Sequence, residues 1–266
     1  MDNILEKIVV EKKRSLMYGV QYTIQEILAI IASASNRLNP WNQLINQQVG
    51  PVIIAEIKRA SPSRGDIIDH HPALSLLDEY QRGGASAISV VTEERYFKGS
   101  SHLLQQVISH TNLPVLRKDF IIEETQIYES AQLGVNALLL IARIISLSRL
   151  QKFIFLCELL GIVPLVEVHD RRDLEQAIAA DARYIGINNR NLSTLEISLN
   201  TTERLLPYIP SQATVVCESG IRSHMDIERF MNLGIKHFLI GEYFLFHPNP
   251  IRAIQDLKGV EKIAIG

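Results

Sequence analysis

The sequence predicts an α/β fold in which eight parallel strands close into a (β/α)8 TIM barrel, preceded by a helical extension. From residue 52 onward, a short apolar run, a polar loop and an amphipathic helix recur in that order. This alternation is typical of a parallel sheet. Eight such runs begin roughly 20 to 35 residues apart, which favours closure into a barrel. A doubly wound open sheet is the alternative, because its elements alternate in a similar way.

The predicted strands are short runs rich in branched aliphatic residues. In chain order they are VIIAEI (52–57), AISVV (87–91), PVLRK (114–118), ALLLIA (137–142), VPLVEV (163–168), YIGI (184–187), TVVCE (214–218) and HFLI (237–240). The helices predicted between them include PALSLLDEYQRGG, ETQIYESAQLG, LSRLQKFIFLCELLG, RRDLEQAIAADA and RSHMDIERFMNLG. Several of these segments end in glycine, which is preferred just past the last helical turn.

The first 48 residues lie outside this repeat and are predicted to form helices at roughly 2–18, 23–35 and 40–48. No low-complexity linker separates them from the first strand. We therefore predict one domain over residues 1–266, with residues 1–48 as an extension packed on the barrel.

Composition excludes several functional classes. Hydrophobic residues make up 47% of the chain and the formal net charge is -2, so no overall field favours nucleic acid or an anionic membrane. No apolar run approaches the ~18 residues of a spanning helix. The amphipathic start, MDNILEKIVVEKKRSL, lacks the apolar core of a signal peptide. Cys157 and Cys217 lie far apart in apolar sequence, as buried thiols in a reducing compartment do. We expect a cytoplasmic protein.

Polar residues follow the predicted strands. In a barrel of this kind, chemistry gathers at the carboxyl ends of the strands. Taken in order, those ends carry Glu56 and Lys58; Thr92, Glu93 and Phe97; Lys118, Asp119 and Phe120; Arg143; Glu167 and His169; Asn188 and Arg190; Glu218, Ser219 and Gly220; and Gly241 and Glu242.

A single charge beside a strand is more often a solvated loop residue or half of a surface ion pair. Glu56 and Lys58 are two residues apart, however, so both side chains point the same way. Glu167 stands inside an apolar strand, where a carboxylate must be paired or functional. Because a barrel brings all its strand ends to one rim, these charges together indicate a catalytic cavity.

Glycines after the last two strands predict a phosphate site. Gly220 follows TVVCE and Gly241 follows HFLI. Barrel enzymes commonly bind phosphate there through backbone N–H groups, and glycine lets the backbone approach the anion. Tight turns or helix caps are the alternative explanation. No Walker loop, no GxGxxG after the first strand and no HExxH motif occurs, so no nucleotide or metal site is indicated.

Nine motifs along nearly the whole chain carry a resemblance to a known family. In order they are ILEKIV, IAEIKRASPSRG, VVTEERYFKGS, LRKDFI, ALLLIA, PLVEVHD, IGINNRNL, CESGI and FLIGE. By these motifs the chain resembles indole-3-glycerol-phosphate synthase, a (β/α)8 lyase of tryptophan biosynthesis. The resemblance implies conversion of 1-(2-carboxyphenylamino)-1-deoxyribulose 5-phosphate to indole-3-glycerol phosphate, carbon dioxide and water. It also implies no metal, no organic cofactor, and an extension that covers the barrel mouth.

The resemblance assigns a role to each candidate catalytic residue. Lys118 matches the general acid and Glu167 the residue usually named as general base. Glu56 and Lys58 match a charge pair on the first strand, in which Lys58 steers the anionic substrate and assists dehydration. Which of Lys58 and Lys118 donates at which step is left open by the motifs.

The remaining site residues follow from the same match. Asn188 and Arg190 match positions that orient the substrate, Glu218 a position near the sugar hydroxyls, and Ser61 a contact near the anthranilate carboxylate. The apolar walls around the aromatic ring match Pro62, Phe97, Phe120, Leu139, Leu192 and Ile240, and the phosphate cradle matches Ser219, Gly220, Gly241 and Glu242, the last through its backbone N–H.

Tyr243 and Phe244 depart from the family pattern, which has a small residue after LIGE, and would crowd the phosphate site. Two alternatives to the lyase are another phosphosugar barrel enzyme of the isomerase type and an inactive barrel that serves as a binding partner. Neither requires Glu56, Lys58, Lys118 and Glu167 together. We expect a monomer with a phosphorylated small-molecule substrate, without nucleic acid, membrane or obligate protein partner.

Overall fold

The computed structural model describes residues 4–17, 19–34, 38–45, 50–62, 65–67, 72–191 and 194–260. Eight parallel strands close into a barrel in the order β1-β8-β7-β6-β5-β4-β3-β2. They are β1 (Val52–Ile57), β2 (Ala87–Val91), β3 (Val115–Lys118), β4 (Ala137–Ile141), β5 (Val163–Val168), β6 (Tyr184–Asn188), β7 (Thr214–Glu218) and β8 (His237–Ile240). The predicted fold class is confirmed, and the open sheet is excluded because β1 pairs with both β2 and β8.

Helices follow the strands on the outside of the barrel. They are α4 (Ala73–Gly83), α5 (Ser101–Ser109), α6 (Glu124–Leu133), α7 (Leu147–Leu159), α8 (Arg171–Ala179), α9 (Asn200–Leu205), α10 (His224–Met231), α11 (Glu242–Leu245) and α12 (Pro250–Leu257). Local sequence sets several of their ends. Ser100, Asp170 and Ser223 accept hydrogen bonds from backbone N–H groups in the first turns of α5, α8 and α10. Gly84 and Gly134 end α4 and α6 in the left-handed conformation.

Three helices precede the barrel: α1 (Ile4–Leu16), α2 (Ile24–Ala34) and α3 (Trp41–Ile45). They occupy different places. Ile4, Leu5 and Ile8 of α1 line the cavity at the barrel mouth, whereas α2 packs against α6. Trp41 of α3 is 4% exposed and packs among apolar residues of the barrel interior, at the end where the strands begin. The extension thus contacts the mouth, the outer wall and the base.

The alternation of side chains along the strands produces two apolar layers. Ile53, Ala55 and Ile57 of β1 pack outward in a large cluster shared with the helices. Ile54 points inward and packs with Leu116, Leu165, Val216 and Leu239, among other residues. Because side chains alternate between the two faces of a strand, the residue two positions after each of these also faces the interior, nearer the mouth. The apolar interior therefore ends where the charged residues begin.

Candidate active site

Four titratable side chains form one layer of the barrel interior. Glu56, Lys118, Glu167 and Glu218 each stand two residues after an inward apolar residue, on β1, β3, β5 and β7 respectively. In a closed barrel, the inward side chains of alternate strands meet at the same height. All three carboxylates lie within 4.0 Å of the Lys118 Nζ atom, which confirms that these alternate strands bring them together.

Lys118 occupies the centre of this layer. Its Nζ atom lies 3.1 Å from Glu218 Oε2, 3.3 Å from Glu56 Oε2 and 4.0 Å from Glu167 Oε2. Lys58 approaches from the loop after β1 and donates to Glu56 Oε1 at 2.7 Å. Glu56 is therefore bound by two ammonium groups, which explains why β1 ends in a carboxylate followed by an ammonium.

Burial and charge set the pKa values of this layer. Burial alone would raise the pKa of Glu56, but Lys58 and Lys118 outweigh it and lower that pKa to about 2. Burial opposes the charge of Lys118, yet Glu218, Glu56 and Glu167 raise its pKa above the ordinary value. Burial raises the pKa of Glu218 to about 8; Lys118 opposes this shift and the neighbouring Glu167 adds to it. Near neutral pH the layer therefore holds a lysine ammonium, an ionised Glu56 and a protonated Glu218.

Glu167 is held by residues on two strands. Asn188, at the end of β6, donates from Nδ2 to Glu167 Oε2 at 3.0 Å. The same oxygen is the one that faces Lys118. Glu167 is 2% exposed and Asn188 7% exposed, so this contact is shielded from water. Glu167 Oε2 is thus held between the Asn188 amide and the Lys118 ammonium.

The predicted phosphate end has the close backbone packing that glycine permits. Gly220 has φ of +94°, and a Cβ there would meet Ile197 Cγ2 at 2.8 Å. A Cβ on Gly241 would lie 2.4 Å from Glu56 Oε1. Arg190 Nη2 lies 2.7 Å from Glu242 Oε2, and Arg222 Nη2 lies 3.9 Å from Glu242 Oε1. Gly241 thus brings the loop after β8 against the charged layer.

The predicted binding residues surround one cavity. Phe97 and Phe120 form part of its wall, with ring centroids 6.2 Å apart. The predicted residues that line this cavity are Ser61, Pro62, Phe97, Phe120, Leu139, Asn188, Arg190, Ile240, Ser219, Gly220, Gly241 and Glu242, together with Glu56, Lys58, Lys118 and Glu167. Glu218 lies outside this lining, completely buried beneath Lys118. Leu192 lies outside the described residues.

Several cavity residues were not predicted. Leu195 and Ile197 after β6, and Ile4, Leu5 and Ile8 of α1, also contribute to the wall. The amphipathic pattern of α1 indicated a buried stripe, but nothing in it indicated what the stripe would contact. The same helix sends Lys12 to Asp119, next to the predicted acid, at 2.8 Å between Nζ and Oδ1. No local signal predicts this ion pair.

Tyr243 and Phe244, the two departures from the family pattern, take different places. Phe244 is fully buried and packs edge-on against Tyr80 of α4, with ring centroids 5.7 Å apart. It therefore fills the layer between barrel and helices and stays out of the cavity. Tyr243 is partly exposed and lines the cavity.

Among the described residues, no helix has the length and apolar character to cross a membrane. Over the same ranges, no group of three or more His, Cys, Asp or Glu side chains is arranged to hold a metal ion.

Comparison with known proteins gives one consistent family. The family model described as indole-3-glycerol phosphate synthase matches residues 5–257. Relatives of that name are 45% identical over 208 residues in Acetivibrio thermocellus (78% of this chain, 80% of the relative) and 41% identical over 234 residues in Thermoanaerobacter pseudethanolicus (83% and 90%). A third, from Campylobacter jejuni, is 42% identical over 205 residues (77% and 80%).

Solved structures add support for the fold alone. KGPDC from Streptococcus mutans superposes with a TM-score of 0.60 at 12% identity, covering 79% of this chain and 97% of that one. An N-acetylmannosamine-6-phosphate 2-epimerase from Clostridium perfringens gives a TM-score of 0.58, also at 12% identity, covering 82% and 96%. Such low identity shows a shared barrel and no more.

Proposed function

The chain belongs to the indole-3-glycerol phosphate synthase family, and on that basis we propose that the layer around Lys118 is its catalytic centre. The reaction closes the indole ring: 1-(2-carboxyphenylamino)-1-deoxyribulose 5-phosphate becomes indole-3-glycerol phosphate, with loss of carbon dioxide and water, in tryptophan biosynthesis. The observation that carries the proposal is the position of one partly buried ammonium among three carboxylates at the mouth of the barrel.

Lys118 acts at the carbonyl oxygen during ring closure. An aryl carbon attacks the ketone, and negative charge develops on that oxygen. The raised pKa of Lys118 keeps its amine positively charged, so it stabilises this charge before the proton moves. Proton transfer to the oxygen then makes Lys118 the general acid of this step. When the substrate binds, its reacting oxygen competes with Glu56 and Glu218 for the Lys118 ammonium.

Glu167 acts as the general base. After carbon dioxide is lost, removal of water requires that a proton leave the ring system and that the departing hydroxyl be protonated. Asn188 fixes Glu167 Oε2 toward the cavity, which supports Glu167 as the acceptor of the first proton. Lys58 and Lys118 both lie within the same cavity and can supply the second. Glu56, held ionised by both lysines, keeps the two ammonium groups in place.

The two ends of the substrate bind on different sides of this layer. The phosphate is bound by the backbone around Ser219, Gly220, Gly241 and Glu242, where an added Cβ would collide with neighbouring groups. Arg190 lies beside this end and is oriented by Glu242. The aromatic ring lies against Phe97, Phe120 and the apolar side chains near them. A contact from Glu218 to the sugar hydroxyls stays a prediction.

The extension and the barrel form one functional unit in this proposal. Ile4, Leu5 and Ile8 cover part of the cavity, and Lys12 anchors α1 to Asp119. Asp119 is 2% exposed and is also bound by Arg117, so this anchor is shielded from water. A covered cavity strengthens the electrostatic contacts within it. We also propose that the protein acts in the cytoplasm as a monomer, with Cys157 and Cys217 as buried free thiols.

Steady-state kinetics of two variants test the catalytic assignment. Lys118→Met should lower kcat at least about 100-fold, with a much smaller change in KM, because general acid–base groups contribute ~100- to 10,000-fold. Glu167→Gln should also lower kcat, since the amide keeps the shape but accepts no proton. Lys152→Met, on the surface of α7, is the matched control and should leave both constants unchanged. Indole fluorescence follows the product. Wild-type kcat in Lys118→Met would overturn the proposal.

A further inference from the structure

His169 lies behind the Glu167 carboxylate. Its Nε2 atom is 3.3 Å from Glu167 Oε1, the oxygen that does not face Lys118. On the other side of the ring, Nδ1 is 3.5 Å from Asp173 Oδ2. The imidazole side chain is 3% exposed, so neither nitrogen is solvated. One buried imidazole thus stands between the proposed base and a second carboxylate.

Neither ring nitrogen makes a hydrogen bond of good geometry. A buried polar atom without a hydrogen bond costs on the order of 1–3 kcal/mol. Catalytic hydrogen bonds are often long or poorly aligned before the substrate binds, and they tighten in the complex. The 3.3 Å between Nε2 and Glu167 Oε1 is already within hydrogen-bond range, so the contact lacks only alignment.

The far side of the ring is fixed by a charged pair. Arg143 donates to Asp173 Oδ2 from Nε at 2.8 Å and from Nη2 at 2.7 Å. The backbone N–H of His169 also donates to that oxygen, at 3.0 Å. Asp173 is 5% exposed and Arg143 also contacts Asp170, so the pair is locked at the start of α8. The imidazole consequently has a rigid support behind it.

We propose that His169 is the positioning residue of the general base. When the substrate binds, Nε2–H donates to Glu167 Oε1 and holds the carboxylate with Oε2 directed at the reacting atoms. Asp173, oriented by Arg143, accepts from Nδ1–H and fixes the ring. A carboxylate oxygen faces each ring nitrogen, so each nitrogen has an acceptor on its own side of the ring. The inference rests on the proposed role of Glu167.

Two substitutions of His169 distinguish the effect of its hydrogen-bond donor from the effect of its side-chain volume. His169→Gln places an amide N–H where Nε2 stood, whereas His169→Leu fills the space without a donor. We expect His169→Leu to lower kcat about 10- to 100-fold, since a misplaced catalytic group costs about that much. KM should change less than twofold, and His169→Gln should recover most of the lost kcat. A purely structural role would lower stability in both variants without this difference in kcat.

His237 is the matched control. It is a second buried histidine with an unpartnered Nε2, and it lies at the start of β8, at the opposite end of the barrel. His237→Leu should lower the melting temperature and leave kcat unchanged. If His169→Leu does not fold, Asp173→Asn replaces it and should lower kcat at nearly constant KM.

A double-mutant cycle with Glu167→Gln decides whether His169 acts through Glu167. In the Glu167→Gln background, His169→Leu should cause no further loss of kcat, because residues that act as one unit are not additive. An equal, independent loss in both backgrounds would overturn the inference, as would wild-type kcat in His169→Leu. Wild-type kcat in Glu167→Gln alone would instead overturn the assignment of the base. The two failures are therefore distinguishable.

Discussion

The Lys118 ammonium donates a 3.1 Å hydrogen bond to Glu218, a carboxyl group that is completely buried. Glu56 and Glu167 compete for the same ammonium. The ammonium groups of Lys58 and Lys118 cannot balance three carboxylates in a shielded site, so one of the carboxylates takes up a proton. The pKa values identify Glu218 as that group, because its pKa is raised to about 8 while that of Glu56 is lowered to about 2.

The raised pKa of Glu218 predicts a loss of stability with rising pH. Between its ordinary pKa of 4.5 and the folded value of about 8, the folded state binds a proton that the unfolded state has released. The free energy of unfolding contributed by this group is therefore fully present below pH 4.5 and falls as pH rises to about 8. Glu218→Gln, which imitates the protonated form, should remove that fall, which amounts to a few kcal/mol at most. Urea titrations from pH 5 to pH 8 measure it.

Glu158→Gln, at an exposed position on α7, serves as the control for this experiment. It should follow the wild-type dependence on pH. The stability of Glu218→Gln could instead fall between pH 5 and pH 8 as steeply as that of the wild type. That result would show that Glu218 is ionised in the folded state.

Gly241→Ala should lower kcat because its added Cβ would displace the Glu56 side chain, and the backbone of residue 241 should not be strained. Gly241 has φ of -123°, which any residue can adopt, but its added Cβ would lie 2.4 Å from Glu56 Oε1. Moving Glu56 disturbs both lysines, so kcat should fall about tenfold or more. Gly234→Ala is the converse control, with φ of +87° and no neighbour within 4 Å. It should cost about 1 kcal/mol of stability and leave kcat unchanged. Equal kinetics in the two variants would contradict the close packing at Gly241.

Removal of residues 1–19 should impair substrate binding and leave the barrel folded. That deletion takes away Ile4, Leu5, Ile8 and the Lys12 anchor, but no residue of the barrel interior. KM should rise about tenfold or more and kcat should fall, because the site is no longer covered. Lys12→Met is the minimal version and should show the same direction with a smaller effect. Unchanged kcat and KM after the deletion would contradict a role for α1 in covering the active site.

A longer deletion, of residues 1–45, should behave differently. It also removes Trp41, which fills the base of the barrel interior. Loss of a buried tryptophan side chain costs about 3–5 kcal/mol. The melting temperature of this variant should therefore fall well below that of the shorter deletion, and differential scanning calorimetry can compare them.

Inorganic phosphate should inhibit competitively at tens of millimolar concentration. The backbone around Gly220 and Gly241 is proposed to bind the substrate's phosphate, and a free anion can occupy the same cradle. Potassium chloride at matched ionic strength controls for general screening of charge. Inhibition that leaves KM unchanged, or that chloride reproduces, would argue against this assignment.

The barrel was predictable because it depends on a local pattern. Each of the eight predicted strands agrees with the structure to within one residue at either end. Alternation of period two decides which residues face the interior, and the closure of eight strands brings their ends to one rim. The gathering of Glu56, Lys58, Lys118 and Glu167 in one cavity could be anticipated on that basis alone.

Contacts between distant segments could not be predicted in this way. Lys12 and Asp119 are separated by more than a hundred residues, and their contact depends on where α1 lies on the mouth. Leu195 and Ile197 reach the cavity through an irregular loop that has no periodic pattern. The prediction that the whole extension covers the mouth was too coarse for the same reason, since the surfaces of α6 and of the barrel base decide where α2 and Trp41 pack.

The eight-stranded barrel, the polar residues at its rim and, through ordered motifs, the family can all be inferred from the amino-acid sequence. Which of the polar side chains lie at the same height in the barrel depends on the three-dimensional fold. Lys118 and Glu218 are a hundred residues apart, and they meet because alternate strands of a closed, staggered barrel contribute to one layer. Burial of that layer then decides which carboxyl holds a proton, because a pKa depends on the surroundings in space and not on neighbours along the chain.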